Sequence, residues 1–204
     1  MFLFLHLKKI ISIKLEVSSE KHLVYVEEIR NEMEDSAKKR GTGIAKRSSE
    51  YLGKKISEGN SIIAIDENGT WAGFCYIETW TNGEYVANSG LIVSPQFRNV
   101  GLATQIKERI FELSREKYPN AKIFGLTTGL AVMKINSNLG YKPVIYSELT
   151  QDEQFWNGCK NCVNYDILMM KERKNCLCTA MLFVPENLNK ENKKNFESID
   201  NNNE

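Results

Sequence analysis

Residues 89–103 read Ser89-Gly90-Leu91-Ile92-Val93-Ser94-Pro95-Gln96-Phe97-Arg98-Asn99-Val100-Gly101-Leu102-Ala103. The stretch runs from an apolar strand through a turn into a glycine-containing loop that opens a helix. That order sets a row of backbone N–H groups and a helix N-terminus where a phosphate can sit. Leu102, Ile106, Ile110 and Leu113 recur at helical spacing, with Gln105, Lys107, Glu108, Arg109 and Glu112 on other faces, until Tyr118-Pro119 stops the helix. Gly101 lets the backbone approach closely, and the small Ala103 keeps the first turn clear of side-chain bulk.

Working outward, Ile11 to Val17 alternates and predicts a first strand. From Ser19 the period changes, and Leu23, Val26, Ile29, Met33 and Ala37 share a helical face that ends near Arg40-Gly41. Ser48 or Ser49 can cap a second helix that runs to Gly59. Ser61–Asp66 and Trp71–Thr79 read as a hairpin about Glu67-Asn68-Gly69, and Tyr85–Val93 follows a second turn at Asn82-Gly83. Lys122–Thr127 reads as a strand and Gly129–Leu139 as a helix stopped by Gly140. Two more strands are expected near Lys142–Ser147 and Asp166–Met170.

At Arg98, Gly101 and Ala103 the chain resembles the GNAT superfamily of N-acetyltransferases, whose phosphate loop reads Arg or Gln, two residues, Gly, one residue, then Gly or Ala. The element order matches that family over roughly residues 8–185. The resemblance implies an α/β (α+β type) fold: a mixed, largely antiparallel central sheet flanked by helices on both faces. It implies one domain over 1–185, to which the chain adds a cysteine-rich insertion near 155–180 that lies outside the family's pattern. The remaining 186–204, rich in Asn and Lys, is expected to be a disordered tail.

The resemblance also implies acetyl-CoA or another acyl-CoA as co-substrate. Backbone N–H groups from Asn99 to Thr104 (Asn99, Val100, Gly101, Leu102, Ala103, Thr104), after Arg98, would hold its pyrophosphate. The strand Asn88–Val93 would splay from its neighbour to admit the pantetheine arm past Leu91, Ile92 and Val93, with N–H groups around Leu91 and Ile92 facing the oxyanion. Direct attack by the amine needs no covalent intermediate, so Cys75 reads as a small buried hydrophobe.

An amine must lose a proton before it attacks, and a carboxylate acting through water is the usual device. Glu78 is the candidate base, with a cleft-facing and a solvent-facing reading both open; Glu84 directly follows a turn, and His22 reads as a surface residue. Many family members carry a Tyr, as acid to the leaving thiolate, four residues before the Gly that ends the following helix. Here Asn136 stands there, ahead of Gly140-Tyr141. Asn136 can contact the CoA sulfur but supplies no proton, and Tyr141 reads as packing. Arg40, Lys46 and Arg47, in a glycine-containing connection between two helices, are candidate acceptor contacts. Guanidinium groups favour carboxylates, so a small-molecule amine, an amino acid such as glutamate among them, is the expected acceptor. A protein amine, or a non-catalytic CoA-binding or zinc-stabilised interaction module, stays open.

The 204 residues are 42% hydrophobic, and 27 basic against 26 acidic residues leave a net charge of +1. That balance argues against a nucleic-acid partner, and no apolar run suits a membrane span. Homodimers are common in the family, but no stretch here identifies an interface. Met1–Leu7 is too short for a signal peptide, and five cysteines without an export signal point to the cytoplasm. Four of them, Cys159, Cys162, Cys176 and Cys178, have the makings of a closed tetrahedral structural zinc site. Unligated thiols and a redox pair at Cys159 and Cys162 are the other readings.

Overall fold

The computed structural model describes residues 12–41 and 47–186. The expectations for Met1–Leu7, for Lys46 and for the tail beyond Glu186 lie outside them. Seven strands, β1 (Ile13–Val17), β2 (Ser61–Asp66), β3 (Trp71–Trp80), β4 (Tyr85–Val93), β5 (Lys122–Thr127), β6 (Lys142–Val144) and β7 (Thr179–Phe183), form one sheet. Its spatial order is β1-β2-β3-β4-β5-β7-β6. Only β4 and β5 run parallel; every other neighbouring pair is antiparallel.

Alternation explains the two layers that cover this sheet. Ile62, Ala64, Cys75, Ile77 and Val86 point to one face, where α3 (Leu102–Lys117) lays Leu102, Ile106, Ile110 and Leu113 on them. Ile63, Phe74, Tyr76 and Ile92 point to the other, under α1 (Val26–Arg40) and α2 (Ser49–Ser57), which contribute Ile29, Met33, Leu52 and Ile56. The boundaries follow the capping residues. Ser48 accepts the Tyr51 N–H at 3.1 Å to start α2, and Gly41 ends α1 in the left-handed region at φ 59°. Helix α4 (Leu130–Asn138) then precedes the turn into β6 at Gly140, φ 88°.

Beyond β6 the chain departs from the sequence reading. Asp166–Met170, expected as a strand, lies in a short helix, α6 (Tyr165–Met170), after α5 (Glu153–Asn157). The run Ile167-Leu168-Met169-Met170 has no alternation, and Leu and Met favour helix. The final strand is instead β7, seated between β5 and β6. Ala180 and Leu182 of β7 join Phe124, Tyr146, Trp156 and Leu168 in a third apolar cluster beneath this excursion.

His22 is a further correction, being 2% exposed rather than on the surface. Its Nδ1 accepts the Ser19 N–H at 3.0 Å, and burial pushes its pKa below the usual imidazole value. Protonation is therefore easier in the unfolded chain. Stability from this group should be full above about pH 6.5 and fall as pH drops below it. His22→Gln should flatten that limb in urea unfolding followed from pH 7.5 to 5.5; an unchanged slope would place the proton uptake elsewhere.

Candidate active site

Strands β4 and β5 are paired only over Tyr85–Ala87 and Lys122–Phe124, although β4 continues to Val93 and β5 to Thr127. From Asn88 to Val93 the β4 edge has, among the described residues, no strand partner on the β5 side, which is a V-shaped opening between parallel strands. On its other edge β4 is irregular, because the register with β3 shifts between Phe74 and Tyr76 opposite Ser89–Ile92. Gly90 has φ +66° there, and a Cβ on it would run into the Tyr76 ring and the Met33 methyl. Gly90→Val should therefore lower stability by about 2–4 kcal/mol. Chemical denaturation reads this, and a loss below about 0.5 kcal/mol would mean the bulge readily gives way.

At the mouth of the V, Ser94 to Phe97 turn the chain into the expected loop. Asn99 (φ 63°) and Gly101 (φ 82°) lie in the left-handed region, which turns successive N–H groups toward one concavity. Among the described residues no acceptor takes the N–H groups of Asn99, Val100, Gly101, Leu102 or Ala103, whereas Thr104 N–H already bonds Gly101 O at 3.1 Å. A Cβ on Gly101 would meet nothing within 4 Å. The Arg98 side chain turns away from the loop. Its Nε donates to Val93 O at 3.0 Å, and its Nη2 reaches Glu32 Oε1 at 2.6 Å and Ser36 Oγ at 2.9 Å, tying the end of β4 to α1. Leu91 stays partly exposed, while Ile92 and Val93 are buried.

Glu78 pairs across β3–β4 with Ala87, the last β4 residue bonded to β5, and so stands beside the root of the V. It is 6% exposed, on the face under α2. Its Oε1 accepts from Tyr51 Oη at 2.5 Å and lies 3.4 Å from Arg47 Nη2. Arg47 Nε donates to Tyr76 Oη at 2.7 Å, and its guanidinium lies 5.4 Å from the Tyr51 ring centroid. Burial pushes the Tyr51 and Tyr76 phenols up, with the Glu78 charge adding to it, so both stay protonated: Tyr51 donates to Glu78, whereas Tyr76 Oη accepts from Arg47. Sequence reading missed both tyrosines. Tyr76, two residues from Glu78 on one strand and thus on its face, was the available signal. Arg40 ends α1 exposed and is not brought to Glu78; Glu84 is exposed beside Lys122.

Asn136, on α4, is 1% exposed. Its Nδ2 faces Met181 Sδ at 3.8 Å and lies 3.7 Å from where a Gly125 Cβ would stand, and its Oδ1 has no partner among the described residues. Tyr141 Oη donates to Asn88 Oδ1 at 3.1 Å, and Asn88 Nδ2 to Ser114 Oγ at 2.7 Å, a buried polar chain. Cys75 is fully buried, donates to Ser89 O at 3.3 Å, and has its thiol pushed up to about 11 by burial, which is no activated nucleophile.

Lys107 is also buried, 3% exposed, with its Nζ 5.8 Å from the Tyr141 ring centroid. Burial lowers its pKa, and Cys75 opposes that weakly. The unfolded chain thus binds the proton more tightly, and stability should rise with pH toward about 10.4. Lys107→Met should remove that rise and raise stability near neutral pH by on the order of 1 kcal/mol. Urea midpoints at pH 7 and 9.5 test this, and parallel behaviour of the two proteins would contradict it.

The four clustered thiols do not form the expected tetrahedral set. Among the described residues, no group of three or more His, Cys, Asp or Glu side chains is placed to hold a metal ion. Locally, Cys176 Sγ lies 2.8 Å from Tyr146 Oη and accepts the Cys178 N–H, while Cys162 Sγ accepts the Asn164 N–H. Among the described residues no helix is long and apolar enough to cross a membrane.

No curated protein sequence matches the chain. Among solved structures, it is similar to N-acetylglutamate synthase from Neisseria gonorrhoeae complexed with coenzyme A and N-acetyl-glutamate, at 16% identity and TM-score 0.60. That match covers 85% of this chain but only 35% of the synthase. A Mycobacterium tuberculosis protein solved with CoA matches at 16% identity and TM-score 0.59, over 84% of this chain and 98% of its own. A phosphinothricin acetyltransferase from Sinorhizobium meliloti in complex with acetyl-CoA matches at 15% identity and TM-score 0.56, over 85% and 89%. At these identities the likeness shows the fold. Residues 26–133, more than half of the chain, match the acetyltransferase (GNAT) family. They contain the split strands, the glycine loop and Glu78, and the chain belongs to that family of acetyltransferases.

Proposed function

We propose that the protein transfers an acetyl or related acyl group from acyl-CoA to the primary amine of a small molecule, by direct attack in a ternary complex. The observation that carries this reading is the buried Glu78 carboxylate, held by Tyr51 and Arg47 at the root of the β4–β5 opening. The free N–H groups from Asn99 to Ala103 would take the pyrophosphate, and the pantetheine arm would follow the open edge of β4. Glu78 would accept the amine proton, directly or through water. Backbone N–H groups near Leu91 and Ile92 would face the oxyanion. The C–S bond then breaks, and the sulfur takes its proton from solvent, because Asn136 has none to give. The unpartnered Asn136 Oδ1 suits the S–H of the released CoA.

An amino acid, glutamate among the candidates, is the proposed acceptor. Arg47 uses Nε and Nη2 within the cluster and keeps Nη1 without a partner among the described residues, which leaves a donor for a carboxylate. The N-acetylglutamate synthase likeness agrees with that chemistry. Thiol release from acetyl-CoA and succinyl-CoA against amino acids, polyamines and peptides tests the reading. A selective response to an acidic amino acid is expected. Tight CoA binding with no turnover on any amine would replace the enzyme by a binding module.

A further inference from the structure

The excursion between β6 and β7 carries four thiols that acyl transfer does not use. Gly158–Asn161 forms one 3₁₀ turn, closed by the Cys162 N–H donating to Cys159 O at 2.9 Å. A turn of this kind holds its first and fourth Cα atoms within about 7 Å, and a disulfide spans roughly 4.4–6.8 Å between Cα atoms. Both cysteines are half-buried. Cys176 and Cys178 are tied differently, since Tyr146 Oη lies against Cys176 Sγ and donates to Cys178 O at 2.9 Å, and only one residue separates them.

We propose that Cys159 and Cys162 are a redox-active dithiol that low-molecular-weight disulfides close into an intramolecular disulfide. Cys162 is the attacking sulfur: it accepts the Asn164 N–H at 3.4 Å and, unlike Cys159, is not packed against the apolar cluster. Its attack breaks the S–S bond of the small disulfide, forms a mixed disulfide, and expels one thiolate, which takes up a proton. Cys159 then gives its proton to solvent and attacks the Cys162 sulfur, expelling the second thiolate. Two protein thiols are oxidised, and one small disulfide is reduced to two thiols.

Cys159 packs in the apolar cluster with Trp80 and Phe155. Its thiol is pushed up to about 11, first by burial and then by the neighbouring thiols Cys162 and Cys176, while Arg173 and Arg47 pull the other way.

The test treats the full-length protein with oxidised glutathione, blocks remaining thiols with N-ethylmaleimide, digests with trypsin and reads masses. Lys160 separates the two cysteines after cleavage, whereas Cys176 and Cys178 share a peptide beginning at Asn175. Before blocking, the expected product is a protein lighter by about 2 Da; after digestion, the peptide ending at Lys160 is bonded to the one starting at Asn161. Cys159→Ser should stop at the mixed disulfide on Cys162. A bridge from either residue to Cys176 or Cys178, a mixed disulfide that never closes at pH 9, or a retained metal ion shielding all four thiols would overturn the assignment. The wild-type measurement decides even if the variant does not fold.

Discussion

Glu78→Gln should lower kcat for amine acylation by about 10²–10⁴-fold while leaving the fold and CoA binding intact. The substitution keeps size and keeps an oxygen for the Tyr51 hydroxyl, which donates to Oε1 at 2.5 Å. It removes the charge that faces Arg47 at 3.4 Å and, with it, the capacity to take a proton. Loss in kcat, rather than in the KM for the amine alone, marks a group acting in the transition state. The loss should shrink as pH rises toward the amine's own pKa, where the acceptor is already neutral. A variant with wild-type kcat at neutral pH would remove Glu78 as the base. One altered only in amine KM would make the cluster an acceptor-binding device.

Gly101→Asp should weaken CoA binding by about 100-fold or more, close to 3 kcal/mol. Two effects add. The residue sits at φ +82°, where an L side chain is strained. The new carboxylate would also project into open space beside the free N–H groups at the start of α3, where the proposed site seats the phosphates. Gly101→Ala separates the two, because its methyl group meets nothing within 4 Å and carries no charge. It should lose about tenfold or less. Calorimetric titration of CoA into folded variants reads both, and equal affinity in wild type and Gly101→Asp would displace the phosphate site from this loop.

The central fold was legible because its signals are local. The alternation of Ile62 to Ala64 and of Phe74 to Ile77 shows strands buried on both faces, and Leu102, Ile106, Ile110 and Leu113 trace the buried stripe of α3. Beyond β6 the signals fail for physical reasons. Asp166–Met170 is apolar without a period, and the Thr179–Phe183 strand is recognisable only by its place between β5 and β6. The glycine loop could be read as a contiguous motif. The Glu78 cluster could not, because Tyr51 and Arg47 approach Glu78 across sequence separations of 27 and 31 residues. Close cysteine spacing likewise does not dictate a thiol's partners: Cys176 Sγ lies against Tyr146, 30 residues away.

The most direct measurement is to incubate the protein with acetyl-CoA carrying an isotopically labelled acetyl group, with and without glutamate and the other amines, and follow the label by mass spectrometry. The account predicts labelled N-acetyl product in step with CoA release, and no labelled protein when amine is withheld. Label held on the chain, at Cys75 or any other nucleophile, or CoA released without an acylated amine, would contradict direct transfer.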